Sequence, residues 1–429
     1  MKSCGVCGES VCGSVVRSCT LPASVFIWGN VMNKCSEQLE ELIRKVQPEV
    51  VSLRHRIHEE PELCYQEKET AGKVVGFLKN VPGVDIRTGV AGTGVVAVLG
   101  RGKPGRCVAL RADMDALPIE EKTGCAYASR KPGLMHACGH DGHTAILAGT
   151  VKVLSGLQDS LKGPVKFIFQ PAEEGGGGGR RMVEEGALKD PDVHAIYALH
   201  GWPDVEIGHV GFGYGGIMAS TDSFTIRVKG HGGHAAIPQK VVDPVVIAAH
   251  LIVALQTVVS RNTDPVESSV LSICKLEGGS AFNVIPNEVS MLGTLRTLNE
   301  TVRQRCLSRM HTIIQHVAEA FGGSAELIYR EECYPVCHNT DAEVDFFKEV
   351  MSQWIGVDQM VKMPPSMGGE DFAFYTHHVP AMFWMLGVKG RGADKWPQLH
   401  QPEYNFNDDA IPYGIRGHCE MVLAFQDRQ

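Results

Sequence analysis

The sequence predicts an α/β protein: a central, mostly parallel sheet flanked by helices, with a smaller α+β unit of ferredoxin-like βαββαβ order inserted into it. Three observations carry that expectation. Short apolar runs bounded by glycine and proline, at 95–99, 107–112, 165–169 and 193–199, recur between helical patterns, as strands buried on both faces of a parallel sheet do. Past a glycine-rich stretch at 208–216 the texture changes, and 223–229 alternates apolar with polar residues, as a strand wetted on one face should. The length, 429 residues, exceeds what one hydrophobic core usually serves.

Residues 1–35 read as a leader or disordered extension, with Lys2, Arg17 and Lys34 against the single acid Glu9. Cys4-x-x-Cys7 lacks a second cysteine pair to complete a zinc knuckle. Ser36 is expected to cap the first helix, which carries Leu39, Leu42, Ile43, Val46 and Val50 at helical spacing. Arg54, His55, Arg56 and His58 near its end read as surface or packing residues rather than ligands. A second helix at 68–79 stops before Pro82-Gly83, and another is expected at 144–157. The first unit occupies 36–215 and 331–429, and the insertion 216–330. Within the insertion, strands at 223–229, 269–276, 289–296 and 326–329 alternate with helices at 242–259 and 300–321. The first unit then resumes with a helix at 341–355, a buried strand at 381–386 and a helix at 410–425. No uninterrupted stretch of membrane-spanning length is expected.

A formal net charge of -8 leaves no basic surplus for phosphates, which excludes a general nucleic-acid binder and favours small-molecule chemistry. The fourteen cysteines are scattered without the spacing of a small disulfide scaffold, so most are read as reduced and the protein as cytoplasmic, with a mitochondrial leader as the alternative.

The densest chemistry lies at Leu134-Met-His-Ala-Cys-Gly-His-Asp-Gly-His-Thr144, where Cys138 and His140, two apart, can face one ion or two neighbouring ions. The run 107–112 leads into Arg111-Ala-Asp-Met-Asp115, and Asp113 and Asp115 stand where open α/β sheets collect their sites. The next strand delivers Gln170-Pro-Ala-Glu-Glu174 and five glycines, a loop suited to approaching something positive; the one after it ends at His200-Gly-Trp202. A parallel sheet gathers such strand ends along one edge. With His400, on a loop between Pro397 and Pro402, the residues Cys138, His140, Glu174 and His200 supply one thiolate, three imidazoles and one carboxylate. That is enough for two divalent ions, with Asp113 and Asp115 behind the ligands. Glu173 is left over as the general base for a metal-activated water. A competing reading makes Cys138 a nucleophile activated by His140 or His143. Phe212, Tyr214, Phe372 and Trp384 could line a pocket or fill the core.

The segments Arg111-Ala-Asp-Met-Asp-Ala-Leu-Pro118, Met135-His-Ala-Cys-Gly-His-Asp-Gly-His143, Pro171-Ala-Glu-Glu174, Ala198-Leu-His200 and Met367-Gly-Gly-Glu-Asp-Phe372 resemble the amidohydrolase branch of the metallo-aminopeptidase, aminoacylase and carboxypeptidase superfamily. That branch includes hippurate hydrolases, N-acyl-amino-acid amidohydrolases and plant indole-3-acetyl-amino-acid hydrolases; dipeptidases and carboxypeptidases belong to the same superfamily. The resemblance covers roughly residues 40–425 and implies hydrolysis of an N-acyl-amino acid to a carboxylic acid and a free amino acid. It implies two divalent ions, Mn2+ or Zn2+, held by Cys138, His140, Glu174, His200 and His400, with Glu173 as base. It further implies that the inserted unit is a lid and dimerisation domain in a homodimer. His234 would steady the oxyanion, and Asn283 and Arg296 would orient the substrate, Arg296 at its carboxylate. The five-glycine run is not required by that pattern, and the C-terminal Phe425-Gln-Asp-Arg-Gln429 lacks the ER-retention tetrapeptide of some plant members.

Overall fold

The computed structural model describes residues 23–331 and 333–428, with side chains from residue 37 onward; the expected leader lies mostly outside the described residues, as does Cys4-x-x-Cys7. Leu39, Ile43, Val46, Val50, Leu53 and Ile57 repeat every three or four residues, so helix α1 (Ala23–His58) buries one continuous stripe. Ser36 falls inside this helix and does not cap it, because serine costs an interior turn only about 0.5 kcal/mol relative to alanine and nothing upstream forces a stop. Helix α2 (Lys68–Leu78) and strands β1 (Val84–Val90), β2 (Gly94–Leu99) and β3 (Cys107–Asp113) follow. Next come helix α3 (His140–Ser155), strand β4 (Val165–Gln170), helix α4 (Gly178–Glu184) and strand β5 (Val193–Glu206).

The main sheet has eight strands, ordered β1, β2, β4, β3, β5, Ala381–Lys389, Val210–Phe212 and Met360–Lys362. Its centre, from β4 through β3 and β5 to Ala381–Lys389, is parallel. Residues such as Leu110, Phe167, Tyr197 and Trp384 face α1, α3 and the last helix, Ile411–Asp427. Ile168, Ile196, Ala198, Phe383 and Met385 face the opposite side. Alternation along each strand divides the two cores. In register, Asp113 pairs with Gln170 and Arg111 with Ala198, so the strand ends meet at one edge as expected. His200 does not end its strand: β5 runs on to Glu206, because Ala381–Lys389 keeps pairing with it beyond the point where β3 departs. That continuation carries polar residues, which hides it from an apolar-run reading.

The inserted unit is a four-stranded antiparallel sheet ordered Ser269–Glu277, Glu288–Thr297, Asp222–Lys229 and Ser324–Tyr329. Helices Pro244–Asn262 and Glu300–Ala320 complete the βαββαβ order. Phe224, Ile226, Leu251, Leu255, Met291 and Met310 form its separate core. Contrary to expectation, Pro244–Asn262 is long and apolar enough to cross a membrane, with 19 residues and mean hydropathy 1.6. Its stripe Ile247, Leu251, Leu255 and Val258 is buried in that core.

Candidate active site

Helix α3 begins at His140 because Gly139 adopts φ 87°, a left-handed conformation that would strain any residue with a Cβ. The His140 Nδ1–H donates to the Asp115 carbonyl at 2.9 Å, which turns the Nε2 lone pair outward, toward Glu174 Oε1 at 4.0 Å. That nitrogen is buried and makes no hydrogen bond. His200 is set the same way: Nδ1–H donates to the Gly201 carbonyl at 2.9 Å, and Nε2 lies 3.4 Å from Cys138 Sγ. His400 reaches the cleft from a strained turn with φ 64°, stitched to the ligand loop by its own N–H on the Ala137 carbonyl at 2.8 Å. Its Nε2 stands 3.2 Å from Glu174 Oε1.

The structure thus brings all five expected ligands together. Donor atoms of Cys138, His140 and His200, and separately of Cys138, Glu174 and His400, lie within 4.8 Å of one another. Two ligands at ordinary zinc distances on a tetrahedral ion are roughly 3.3–3.7 Å apart. The Cys138–His200 separation, 3.4 Å, falls in that range, and the Glu174–His400 separation, 3.2 Å, lies just under it.

Behind the ligands the polar groups are saturated. Arg111, fully buried, meets Gln170 at 2.9 Å, Asp113 at 2.8 Å, Asp371 at 2.9 Å and Glu370 at 3.0 Å. Asp113 also accepts from His143 Nδ1 at 2.7 Å, while His143 Nε2 accepts the Gly201 N–H at 2.8 Å. His143 has no lone pair left for a metal or a thiol, which removes one of the two bases considered for a Cys138 nucleophile. Asp115 receives the N–H groups of Glu173 at 3.0 Å and Glu174 at 2.9 Å, so it aims the carboxylate pair. The five-glycine run is not a free loop. A Cβ on Gly178 would stand 1.7 Å from the Pro171 carbonyl oxygen, and one on Gly179 would stand 2.6 Å from that of Asp371. Close backbone approach at the start of α4 therefore explains Gly178 and Gly179, and positive φ of 97° and 63° explains Gly175 and Gly177.

The electrostatics ask for positive charge. Burial works against a charged His140, yet Asp113, Asp115 and Glu174 outweigh it and hold the imidazole up at about 10. Burial, then Glu370 and Glu174, push the Glu173 carboxyl well above its ordinary range. Burial, then Glu174 and Glu173, do the same to the Cys138 thiol. A thiol so placed is a poor nucleophile by itself. An unpartnered Nε2 on an imidazole that its carboxylate neighbours draw toward positive charge suits a divalent cation in place of that proton, and the residues present fit such ions.

The expected substrate residues are placed differently. His234, on the short strand Gly233–His234, and Asn283 are exposed, and among the described residues no hydrogen bond or ion pair joins either to the cleft. Arg296 is half-buried against the Gly368-Gly-Glu-Asp371 loop, its Nη1 3.5 Å from where a Gly369 Cβ would stand. Of the aromatic residues, Phe372 and Trp384 are core, Tyr214 is partly exposed, and Phe212 lines an apolar crevice with Trp202 and Met363.

Sequence reasoning missed two kinds of residue. Tyr334 donates its hydroxyl to the Glu173 carbonyl at 2.5 Å and accepts the Gly175 N–H at 2.9 Å, fixing the glutamate loop from beyond the insertion. Arg54 and His58, read as surface or packing residues, are wholly buried and both bond Asp141, at 2.9 and 2.8 Å. The neighbouring basic residues and the helix-end position concealed them.

Fold and site together define a metal-binding hydrolase of amide bonds. The chain belongs to the peptidase family M20/M25/M40, whose profile matches residues 109–424. It is 40% identical over 379 residues to an Arabidopsis thaliana protein named IAA-amino acid hydrolase ILR1-like 4, covering 88% of this chain and 85% of the relative. It is 40% identical over 366 residues to the N-acetyl-L-cysteine deacetylase of Bacillus subtilis, covering 85% of each. Among solved structures, the Bacillus subtilis YXEP protein, described as a dinuclear metal-binding peptidase of the M20 family, matches with TM-score 0.78 and 33% identity, covering 90% of this chain and 99% of its own. A putative aminohydrolase from Staphylococcus aureus matches with TM-score 0.85 and 31% identity, covering 90% and 98%.

Proposed function

We propose that this hydrolase removes the acyl group from N-acyl-amino acids with two divalent ions, Zn2+ or Mn2+, held by Cys138, His140, Glu174, His200 and His400. The carrying observation is the convergence of five donors in two triads that share Cys138, with Glu173 beside His140 and Glu174. When bound, the ions polarise the scissile carbonyl and acidify water. Glu173, held by Asp115 and Tyr334, takes the proton of the attacking water and returns it to the leaving nitrogen. Asp115 and Asp113 orient the loop and His143 without touching substrate.

The open cavity of about 630 Å³ lined by Trp202, Val361, Met363, Pro364 and Pro365 is our candidate for the acyl group. The Trp202 and His200 rings lie 6.1 Å apart on one face of β5, which favours apolar acyl groups. Arg296, against the Gly369 loop, suits the substrate carboxylate. His234 and Asn283 are exposed, and the edge strand Ser269–Glu277 shows Val270 and Leu276 to solvent. Both facts support a homodimer through the inserted unit, in which that unit acts as a lid and His234 serves the partner's oxyanion. The buried thiols Cys107, Cys138, Cys306, Cys337 and Cys419 are unbridged, which supports a reducing, cytoplasmic setting, and the net charge of -8 speaks against nucleic acid as a partner.

The test is Glu173→Gln assayed on acetyl, benzoyl and indole-acetyl amino acids, with metal content measured in parallel. Turnover is expected to fall by about 10³-fold with both ions retained. Turnover surviving in that variant, or surviving complete chelation of the wild type, overturns the reading; the second result would return Cys138 to the role of nucleophile.

A further inference from the structure

We propose that His58, Glu121 and Cys125 form a third divalent-metal site, of the zinc class, outside the cleft. Their donor atoms lie within 4.8 Å of one another. His58 Nε2 is 3.2 Å from Glu121 Oε1, and Cys125 Sγ is 3.8 Å from the same oxygen. For a tetrahedral ion at ordinary zinc distances those two edges are about 3.3 and 3.6 Å. An ion pair between His58 and Glu121 accounts for two of the three groups, but it gives no reason for a thiol at the third corner.

One further feature belongs to a metal site. The His58 Nδ1 faces Asp141 Oδ2 at 2.8 Å, the carboxylate–imidazole arrangement that orients a ligating histidine from behind and leaves Nε2 for the ion. The Thr123 hydroxyl donates to Glu121 Oε1 and lies 3.3 Å from the Cys125 sulfur, which keeps the carboxylate and the thiol side by side. The Glu121 side chain is 5% exposed, and the half-covered Cys125 gives an ion its way in. Three protein donors leave the fourth tetrahedral position to water. Binding releases the Cys125 thiol proton and the proton shared between His58 and Glu121, so uptake strengthens as pH rises.

The site would clamp the segment after β3 to α1. That segment is tied to the turn carrying His400, because the Lys122 N–H donates to the Pro402 carbonyl at 2.8 Å. Occupancy therefore bears on the one ligand of the cleft that is half-exposed. The inference goes beyond the amidohydrolase reading and does not rest on it.

The experiment uses the full chain, stripped of metal, with Co2+ as the probe. In a Cys138→Ser background, the sulfur-to-cobalt charge-transfer band is expected to persist and to weaken by one thiolate's intensity when Cys125→Ser is added. Competition against a chromophoric zinc chelator should show one equivalent fewer for Cys125→Ser, and for Glu121→Gln, than for the wild type. Equal bands in the single and double serine variants, or equal zinc counts in wild type, Cys125→Ser and Glu121→Gln, would overturn the site. Loss of the cleft's ions appears separately, as missing equivalents in His140→Ala with the Cys125 difference unchanged.

Discussion

Two buried polar clusters share Asp113, and they differ in one respect. On the sheet side, Arg111 has four acceptors at 2.8–3.0 Å, and Gln170 NH2 adds a bond to Asp371 at 2.7 Å. On the cleft side, His140 Nε2 and Glu174 Oε1 are equally buried and make no hydrogen bond. Both clusters are charged and both sit at strand ends. Completeness of bonding, not polarity, separates these two clusters, and unmet polar atoms that face one another on ligand-type side chains suit an ion. Changes in the closed cluster should therefore cost folding and changes in the open one chemistry.

The largest expected effect lies on the open side. Glu173→Gln loses about 10³-fold in turnover, equivalent to roughly 4 kcal/mol of barrier, while the melting temperature of the metal-free protein stays level or rises. Burial, then Glu370 and Glu174, already push the Glu173 carboxyl toward its neutral form, which an amide mimics. A clear fall in melting temperature would move Glu173 into the scaffold.

Arg111→Met should do the reverse. It strands Asp113, Glu370 and Asp371 as buried carboxylates without their cation, at a cost of about 3–5 kcal/mol measured by urea unfolding of the metal-free protein. If stability held and only metal affinity fell, the contrast between the clusters would fail.

The Arg54–His58–Asp141 network offers a smaller effect with a sign. Burial opposes a charged His58, but Asp141 and Glu121 outweigh burial and the nearby Arg54 and hold the imidazole up at about 9, against 6.5 for the free side chain. The folded chain binds that proton more tightly than the unfolded one. Its contribution, on the order of 3 kcal/mol, is therefore whole below about pH 6.5 and is lost as pH rises through about 9. Urea midpoints of the metal-free wild type should fall over that window, and those of His58→Gln should stay flatter. Parallel curves would show that His58 is neutral in the fold.

Much of this contrast was legible beforehand. Strand ends at Asp113 and Glu174, and the spacing Cys138-x-His140, are local signals, and a parallel sheet must bring such ends to one edge. His400 could be placed only by its company with the other ligands, since its turn is set by a bond to Ala137 across the cleft. The extension of β5 past His200 and the interior place of Ser36 were hidden because partner strands and an unbroken helix, not residue type, decide them. Satisfaction of hydrogen bonds is a property of three-dimensional neighbours. Nothing in the order of residues separates His143, whose nitrogens are both taken, from His140, whose Nε2 is open.

Tyr334 tests the border between the two clusters. It lies where the chain returns from the insertion, and its hydroxyl donates to the Glu173 carbonyl and accepts the Gly175 and Gly177 N–H groups. It touches the backbone of the base, not its carboxylate, so it positions the base without taking part in the proton transfer. Tyr334→Phe removes those bonds and keeps the ring that packs near Phe374 at 5.9 Å. The expected result is a loss of about 1–2 kcal/mol, a roughly five- to thirtyfold fall in kcat with KM and metal content unchanged. A fall in metal content instead would mean that the hydroxyl holds Glu174 more than Glu173, and the boundary between scaffold and site would shift by one residue along the loop.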